Sequence, residues 1–527
     1  MAVRESFDYV VVGAGSAGCV LAARLSEDPG TSVLLLEAGG PDDADELHIP
    51  AAFSSLFKTR WDWNYETVEQ KHLGGRSAYW PRGKTLGGCS SMNAMIYIRG
   101  NRADYDTWRD AHGATGWGHD DVLPYFTRAE RNTRLGGPLH GTDGPLHVED
   151  RRYTHELTTA WVEAAVASGL KRNDDFNGAE QEGVGLYQVT CHRGRRWSTA
   201  DAYLRPALGR KNLTVRTGAL STRVVLDGGR AVGVEYLSGG QTSVVRAERE
   251  VLLSGGAVNS PQLLMLSGIG PAEHLRELGI DVAVSLPGVG ENLHDHPASP
   301  VIWTTRGTSD MTDFVTPGRL LQWQALGRGP LSSNIGEGGG FVRTRDGLDA
   351  PDMQFHVAPT MFYDNGMREP TAKGFTSATT LVAPKSRGTL RLRSADPRWR
   401  PLIDPAYYAD PADLEATIAA TRMLRDIARQ PSIGRYLVSP FLPDRADDLS
   451  DSELADHIRT WTQTLYHPVG TCSMGTGETA VVDPALRVNG VEGLRVVDAS
   501  VFPLIPRGNT NAPTIMLAEK AADLIRS

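Results

Sequence analysis

The stretch FDYVVVGAGSAG, residues 7–18, decides the fold of this 527-residue chain. It opens with a mostly apolar run that ends in three valines, which is typical of a buried strand, and it continues into a glycine-rich turn. Residues 19–25 are rich in alanine and leucine and predict a helix, and residues 33–36 predict a second buried strand. Strand, turn, helix and strand within about thirty residues predict a βαβ unit.

The turn from Gly13 to Gly18 has the spacing GxGxxG, and Glu37 ends the next strand nineteen residues later. Gly13 permits the tight turn, Gly15 lets a pyrophosphate approach the backbone, and Gly18 lets helix and strand pack closely. The positive end of the helix favours phosphate, and Glu37 can accept hydrogen bonds from a ribose hydroxyl. Glycine-rich turns also serve only as loops, but here strand, helix and acidic residue are all in place. The pattern predicts a bound adenine dinucleotide, without separating FAD from NAD.

Later parts of the chain have the same character. Residues 250–253 predict another short strand, followed by a helix that begins at Ser260-Pro261. Residues 494–497 predict a strand and residues 514–525 a helix. Because these pieces lie far from the first βαβ unit, we expect a discontinuous nucleotide-binding fold.

The segments between these pieces are different. Strand-like stretches such as residues 353–357 alternate with proline and glycine within residues 149–188 and 297–465, which are predicted to form a second region. Candidate junctions are Pro297 and the loop around residues 444–451.

Composition excludes several classes of protein. The formal net charge of −9 and the pI near 5.9 argue against nucleic acid as a partner. The four cysteines are far apart and form no CxxC pair, so we expect neither a disulfide framework nor a zinc site. No apolar run approaches the roughly 20 residues of a membrane span, and the N-terminus lacks the features of a signal peptide. These observations predict a cytoplasmic protein without a membrane span.

Three stretches resemble signatures of one enzyme family. Residues 82–93, RGKTLGGCSSMN, and residues 256–270, GAVNSPQLLMLSGIG, are similar to the first and second signatures of the glucose-methanol-choline (GMC) oxidoreductases. The third is a C-terminal block made of YHPVGTC (466–472), LRVVDAS (494–500) and NTNAPT (509–514). Three matches in the right order, which together span almost the whole chain, make the resemblance specific.

The resemblance implies an α/β fold, α+β overall. It would consist of a discontinuous Rossmann-like FAD-binding domain and a second, substrate-binding domain built on an antiparallel sheet. The expected FAD-binding domain comprises residues 1–148, 189–296 and 466–527. The expected substrate-binding domain comprises residues 149–188 and 297–465.

The resemblance also identifies FAD as the cofactor. Some relatives tether FAD through a histidine directly before the asparagine of the first signature, and here Met92 stands in that position, so we expect non-covalent FAD. The expected cofactor-binding residues are Gly13, Gly15, Ser16, Ala17, Gly18, Glu37, Ala38, Arg82, Gly87, Gly88, Ser91, Asn93, Val224, Gly256, Asp498, Ala499, Asn509 and Thr510.

The resemblance places the chemistry on two side chains. Alcohol oxidation needs a base near the hydroxyl, and His467 matches the family's catalytic position. Asn509 matches the second position and can donate a hydrogen bond to the alkoxide oxygen. Asn511 is the alternative if the register differs, although helix capping is the role we favour for it. His294 and His296 are interpreted as structural residues near FAD, and no metal is expected.

The substrate cavity is less well defined by the sequence. Tyr466 and Leu465 precede the base and are expected to line it. A further five aromatic residues could line the cavity or belong to the core: Trp61, Trp63, Phe355, Phe362 and Tyr363. A choline-like substrate would need an aromatic cage and a carboxylate, for which Glu337 is the only candidate, and no choline assignment follows.

The sequence therefore predicts FAD-dependent oxidation of a primary alcohol to an aldehyde. The electrons would pass to oxygen, which we favour, or to a quinone or another acceptor. A hydroxynitrile lyase that binds FAD without redox use is the first alternative, because a histidine base would serve it as well. A flavin carrier without a substrate is the second, although a carrier needs neither His467 nor Asn509. The oligomeric state is not predicted.

Overall fold

The computed structural model describes residues 5–445 and 448–527, and its first sheet contains the predicted βαβ unit. Strand Ser6–Val12 is central, with Val33–Leu36 parallel on one side and Gln241–Leu253 parallel on the other. Leu213–Arg216 extends the parallel part beside Val33–Leu36, and Leu494–Val496 extends it beside the end of Gln241–Leu253. Strands from the beginning, middle and end of the chain therefore form one sheet, which confirms the discontinuous fold.

Strand Gln241–Leu253 is longer than the predicted residues 250–253. Its first half pairs antiparallel with Arg230–Ser238, which in turn pairs antiparallel with Leu220–Asp227. Only its last three residues form a continuous buried run. The exposed, polar first half carries no long apolar run, and for this reason the sequence pattern indicated only the buried end.

The second sheet is antiparallel, as expected. Strand Met353–Ala358 lies near its middle, where the sequence predicted a strand at residues 353–357. In spatial order the strands are Leu437–Leu442, Pro297–Thr305, Gly374–Leu381, Met353–Ala358, Gly338–Val342 and Gly183–Leu186, with Gln463–Thr464 also beside Pro297–Thr305.

Helices cover both sheets. Ser16–Leu25 packs against the first sheet, and Asn511–Arg526 packs on Ser16–Leu25. Glu156–Ala167 and Pro411–Ala428 pack against the second sheet. The α-helices of six or more residues are Ser16–Leu25, Arg102–Ala111, His119–Ala129, Glu156–Ala167, Gly256–Leu266, Ala272–Glu277, Pro317–Leu326, Pro411–Ala428, Asp451–Trp461 and Asn511–Arg526.

The helix of the second signature corrects one prediction. It begins at Gly256 rather than at Ser260, so Pro261 lies inside helix Gly256–Leu266. Proline has no N–H to donate to the carbonyl four residues earlier, that of Ala257. The hydroxyl of Thr471 donates to this carbonyl instead, at 2.7 Å. A contact from 214 residues away in sequence therefore lets the helix continue through the proline.

The division of strands between the two sheets agrees with the expected domains, whose exact boundaries stay a prediction. Residues 446–447 of the candidate junction at 444–451, and residues 1–4 of the first expected segment, lie outside the described residues. Across the described ranges, no helix has the length and apolarity that a membrane span requires. The cytoplasmic location stays a prediction as well.

Candidate active site

A cavity of about 590 Å³ lies between the two sheets. At one end its wall contains Gly13, Glu37 and Ser254, which follow the carboxyl ends of three parallel strands. At the other end the wall contains His356, from the second sheet, and His467. This is the position at which open α/β sheets bind ligands, and the volume is typical of cofactor and ligand sites.

The glycine fingerprint forms the first end of this cavity. Gly15 precedes helix Ser16–Leu25, and Gly15 and Ser16 both line the cavity, so the positive N-terminal end of this helix faces the cavity. A Cβ on Gly15 would meet no atom within 4 Å, whereas a Cβ on Gly18 would lie 1.8 Å from the carbonyl oxygen of Gly13. Gly15 therefore keeps the cavity open, and Gly18 permits the close packing expected of it.

A second helix begins at the same place. The hydroxyl of Ser16 donates to Oδ1 of Asn511, the first residue of helix Asn511–Arg526, at 2.7 Å. The favoured capping role of Asn511 is therefore wrong, because Thr510 occupies the cap position and Asn511 binds the neighbouring helix instead. The positive ends of two helices converge on the cavity wall, which favours a negatively charged ligand there.

Two buried carboxylates hold the loops around this end. Glu37 accepts from the amides of Ala14 and Gly39, at 2.8 and 2.7 Å, and burial raises the pKa of its carboxyl. Asp498 accepts from the amide of Gly256 at 2.9 Å and from the Ser260 hydroxyl at 2.6 Å, and burial also raises its pKa. Both residues line the cavity while fixing the backbone that forms it.

Most of the expected cofactor-binding residues share this cavity. Its wall includes Gly13, Gly15, Ser16, Ala17, Glu37, Ala38, Arg82, Gly88, Asn93, Gly256, Asp498, Ala499, Asn509 and Thr510. Gly18, Gly87, Ser91 and Val224 lie outside it. Val224 is buried in strand Leu220–Asp227, and its amide donates to the hydroxyl of Ser267 at 2.8 Å. Val224 is therefore not part of the cavity wall, and its role in binding the cofactor stays a prediction.

His467 lies at the other end of the cavity and is 8% exposed. Its backbone amide donates to Oδ1 of Asp295 at 2.8 Å. Its ring contacts two side chains: Nε2 lies 3.2 Å from Nδ2 of Asn509, and Nδ1 lies 3.0 Å from Nδ1 of His296. The structure therefore brings together the two predicted catalytic residues, which are 42 positions apart in sequence.

A chain of hydrogen bonds determines which ring nitrogen of His467 carries the proton. The Tyr187 hydroxyl donates to the carbonyl of Phe355, so its oxygen accepts from Nε2 of Gln354, at 3.3 Å. The same Gln354 amide donates to Oδ1 of Asn509, also at 3.3 Å. Asn509 must then present its NH₂ group to His467. Nε2 of His467 is thus an acceptor, and its Nδ1 carries the hydrogen that is donated to His296.

The surroundings of His467 keep its ring neutral. Its pKa lies well below the ordinary value of histidine, mainly because burial disfavours the charged ring. The positive charges that His296, His356 and Arg82 would place nearby lower it further. The Nε2 lone pair is therefore available at neutral pH.

Two histidines and a glutamine of this site were not assigned functional roles from the sequence. His296, interpreted as a structural residue near FAD, contacts His467 directly, and burial lowers its pKa to about 3. His356 lines the cavity from strand Met353–Ala358, and burial lowers its pKa to about 3 as well. Gln354 orients Asn509. Each lies more than 100 residues from His467 or Asn509, and no local motif indicates it.

His294 does have the structural role expected of it. Its Nδ1 lies 2.7 Å from the carbonyl of Asn292, and its Nε2 accepts from the amide of Ile505 at 2.9 Å. Both ring nitrogens are thus engaged by backbone groups. His294 fixes the segment that leads to Asn509.

Beside His467 the cavity becomes apolar. Leu465 and Tyr466 line it as expected, and Trp63 and Phe362 do so among the five aromatic candidates, whereas Trp61, Phe355 and Tyr363 do not. The cavity-lining apolar residues next to the base are called the tail pocket: Phe53, Phe57, Ile335, Ala358, Phe362 and Tyr466.

Glu337, the only carboxylate that the sequence suggested for a cationic substrate, lies outside the cavity lining. It is fully buried, and its oxygens accept from the amide of His155 and from the hydroxyls of Thr158 and Ser333, at 2.6 to 2.8 Å. Its role is to join two segments, residues 155–158 and residues 333–337, so it is not available to a ligand.

The cavity fits a dinucleotide with a polar ring system. The space in front of Gly15 and the two helix ends suits a pyrophosphate. Farther along, Nε of Arg82 is buried without a hydrogen-bond partner among the described residues, and so are Nε2 of His356 and the hydroxyl of Tyr466. All three line the cavity, and a bound polar group would satisfy them.

Comparisons with known proteins agree with this geometry. Residues 7–298 and 384–518 match the two models of the family described as GMC oxidoreductase. The chain is 44% identical to an alcohol dehydrogenase [acceptor] of Pseudomonas putida over 528 residues, covering 98% of this chain and 95% of that protein. It is also 44% identical to the mitochondrial choline dehydrogenase of Homo sapiens over 539 residues, covering 99% and 90%.

A solved structure has the same fold over almost the whole chain. The crystal structure of pyridoxine 4-oxidase from Mesorbium loti superposes with a TM-score of 0.90 at 32% identity, covering 98% of this chain and 99% of that one. The α/β fold with its second, antiparallel sheet is thereby confirmed. The chain belongs to the GMC oxidoreductase family, whose members bind FAD.

Proposed function

We propose that this protein oxidises a primary alcohol to an aldehyde, with FAD as the redox cofactor and His467 as the base. One observation carries the proposal. His467 and Asn509 meet at 3.2 Å on the wall of the same cavity whose other end holds the glycine fingerprint. A proton acceptor and a hydrogen-bond donor thus lie together within reach of a cofactor bound along that cavity.

His467 would accept the hydroxyl proton of the substrate. His467 lines the cavity, and its depressed pKa keeps Nε2 unprotonated at neutral pH. A substrate hydroxyl would replace Asn509 as the hydrogen-bond donor to Nε2. The proton then moves to Nε2 as the hydrogen on the adjacent carbon leaves.

Asn509 would stabilise the charge that develops on the substrate oxygen. Gln354 holds its Oδ1, so its Nδ2 points toward His467 and can donate to an oxygen beside Nε2. An amide donor is suited to this role because it cannot take the proton itself. FAD, when bound, supplies the acceptor for the hydride that leaves the carbon.

Binding of FAD without a covalent bond is also part of the proposal. Met92, which replaces the tethering histidine of some relatives, lines the cavity and is 4% exposed. Its thioether cannot form a histidyl bond, and the pyrophosphate end offers backbone amides and two helix ends instead.

Two classes of compound are candidates for the final electron acceptor. The names of the relatives include both a dehydrogenase with an unspecified acceptor and an oxidase. Oxygen and a quinone-type acceptor are therefore both proposed, and kinetics distinguish them.

The experiment is anaerobic stopped-flow reduction of the purified holoenzyme by primary, benzylic, furanic and amino alcohols, followed by mixing with oxygen. Loss of the oxidised flavin spectrum with one class would establish the oxidation. Fast reoxidation would indicate an oxidase, and slow reoxidation a dehydrogenase. If no alcohol bleaches the flavin while a cyanohydrin is cleaved, the protein is a lyase and the proposal fails.

A further inference from the structure

The tail pocket is apolar apart from the buried hydroxyl of Tyr466, and it begins directly at the base. Tyr466 adjoins His467 in the chain, and its ring lies 5.5 Å from that of Phe57. Phe57 packs against Phe53, and Phe53 packs against Phe362, with ring centroids 6.0 Å apart in both pairs. A substrate whose hydroxyl reaches Nε2 of His467 must place the rest of its carbon chain among these side chains.

Within residues 5–445 and 448–527, no carboxylate lines this part of the wall. Among the described residues that line the whole cavity, the acidic ones are Glu37 and Asp498, both at the fingerprint end and both bonded to backbone amides. Asp295 lies behind His467 and does not line the cavity. Its second oxygen accepts from the hydroxyls of Tyr407 and Thr464, at 2.5 and 2.6 Å.

The charged group nearest to the base along the cavity wall is cationic. Arg82 lines the cavity, and its Nη1 donates to the carbonyl of Tyr466 at 3.0 Å. Because Tyr466 directly precedes His467 in the chain, this contact places the guanidinium of Arg82 beside the base. The other polar groups here are neutral, because His356 and His467 both have depressed pKa values.

Binding of a cationic substrate would therefore be disfavoured for two reasons. Its charge would lose water without gaining a carboxylate, and it would be repelled by Arg82. Aromatic faces can attract a quaternary ammonium group. Here, however, part of each ring surface contacts a neighbouring ring, with Phe53 and Phe57 edge to face at 77° and Tyr466 tilted by 56° against Phe57, and no carboxylate accompanies these rings among the described lining residues.

We propose that the tail pocket makes this enzyme specific for uncharged primary alcohols with an apolar tail, and that it excludes alcohols carrying a quaternary ammonium group. This inference rests on the proposed alcohol oxidation. It separates the chain from the choline dehydrogenases to which it is similar, because it names a different chemical class of substrate.

The test compares choline with 3,3-dimethylbutan-1-ol, which has the same shape and a carbon in place of the charged nitrogen. Anaerobic reduction of the holoenzyme is followed by stopped flow, and the limiting rate constant and the half-saturating concentration are measured for each. For each alcohol the limiting rate constant is divided by the half-saturating concentration. We expect this quotient to be about a hundredfold or more higher for the neutral alcohol, because the charge of choline would be buried without a partner. Equal or better reduction by choline would overturn the inference.

Calorimetric titration of the His467→Ala holoenzyme with the same two alcohols measures binding without turnover. The neutral alcohol is expected to bind more tightly, and tighter binding of choline would count against the inference. Failure of the proposed function itself has a different signature, since then neither of these alcohols nor any other alcohol would reduce the flavin.

A second test places a carboxylate in the tail pocket and compares this variant with an uncharged variant of the same shape. Ala358 lies two residues from His356 on the same strand and lines the cavity with it, so their side chains share one face. Ala358→Glu should raise the preference for choline by about tenfold or more relative to Ala358→Gln, which has the same shape without the charge. An equal preference in the two variants would show that the missing carboxylate does not determine specificity.

Discussion

Nδ1 of His467 lies 3.0 Å from Nδ1 of His296, with the two rings perpendicular. Only one hydrogen can occupy this contact, and the Asn509 amide on the other side of His467 assigns it to His467. His296 is fully buried and has a pKa of about 3, so it stays neutral and accepts this hydrogen bond. We therefore regard His296 as a positioning residue that holds the ring of the base with its free nitrogen toward the cavity.

Replacement of His296 should slow the chemical step without removing FAD. In His296→Ala the ring of His467 loses its acceptor, and we expect the limiting rate of flavin reduction to fall by about tenfold to a hundredfold, as for a hydrogen bond to a group that becomes charged. His296→Asn can supply an acceptor oxygen and should recover part of this loss. The pH profile should also change in His296→Ala. If the two variants behave alike and keep the wild-type profile, the contact has only a structural role.

His467→Ala should retain FAD and lose most of the flavin reduction. A positioned base contributes about a hundredfold to ten-thousandfold, and this is the decrease expected in the anaerobic rate constant. The ratio of flavin to protein absorbance serves as the control for cofactor content. An unchanged reduction rate would refute the assignment of the base.

Gly15→Val should yield apoprotein. A Cβ at Gly15 projects into the open cavity, so the valine side chain would occupy the space assigned to the pyrophosphate while the fold is unaffected. Gly209→Val is the matched control, since Gly209 is exposed and its Cβ also meets nothing within 4 Å. Flavin content after purification is the measurement. Normal flavin in Gly15→Val would contradict the proposed cofactor site.

The rate of flavin reduction should not decrease as the pH falls from 8 through 6.5. The pKa of His467 is lowered, so the neutral base persists below the ordinary titration of histidine near pH 6.5 and is lost only at more acidic pH. Limiting rate constants measured across this range provide the check. An inflection near pH 6.5 that disappears in His467→Ala would show that the ring is not shielded as described.

FAD should leave the protein on denaturation. Met92 offers no nitrogen for a histidyl bond, so acid precipitation should release all the yellow colour into the supernatant. Flavin absorbance in the pellet and supernatant is the readout. Colour that stays with the washed pellet would demonstrate a covalent bond at another residue.

Local patterns were enough to predict much of the fold. The apolar run 7–12, the glycine turn and Glu37 lie within about thirty residues, so the βαβ unit and its binding end follow from sequence spacing. The first and third signatures indicated Arg82, His467 and Asn509, and all three line one cavity. The start of helix Gly256–Leu266 was misplaced because Pro261 is compensated by Thr471, a residue that no local pattern connects to it.

The sequence by itself thus determined the cofactor class, the family and the identity of the predicted base, because each is encoded in short stretches with fixed spacing. Only the tertiary structure decided the protonation and the specificity of the site. The neutral ring of His467 depends on burial and on His296, 171 residues away, and the orientation of Asn509 depends on Gln354, 155 residues away. The fold likewise buries Glu337 in the core, and none of the described residues places a carboxylate in the tail pocket. Electrostatics and hydrogen bonding act through space, so these properties arise only once distant segments are packed together.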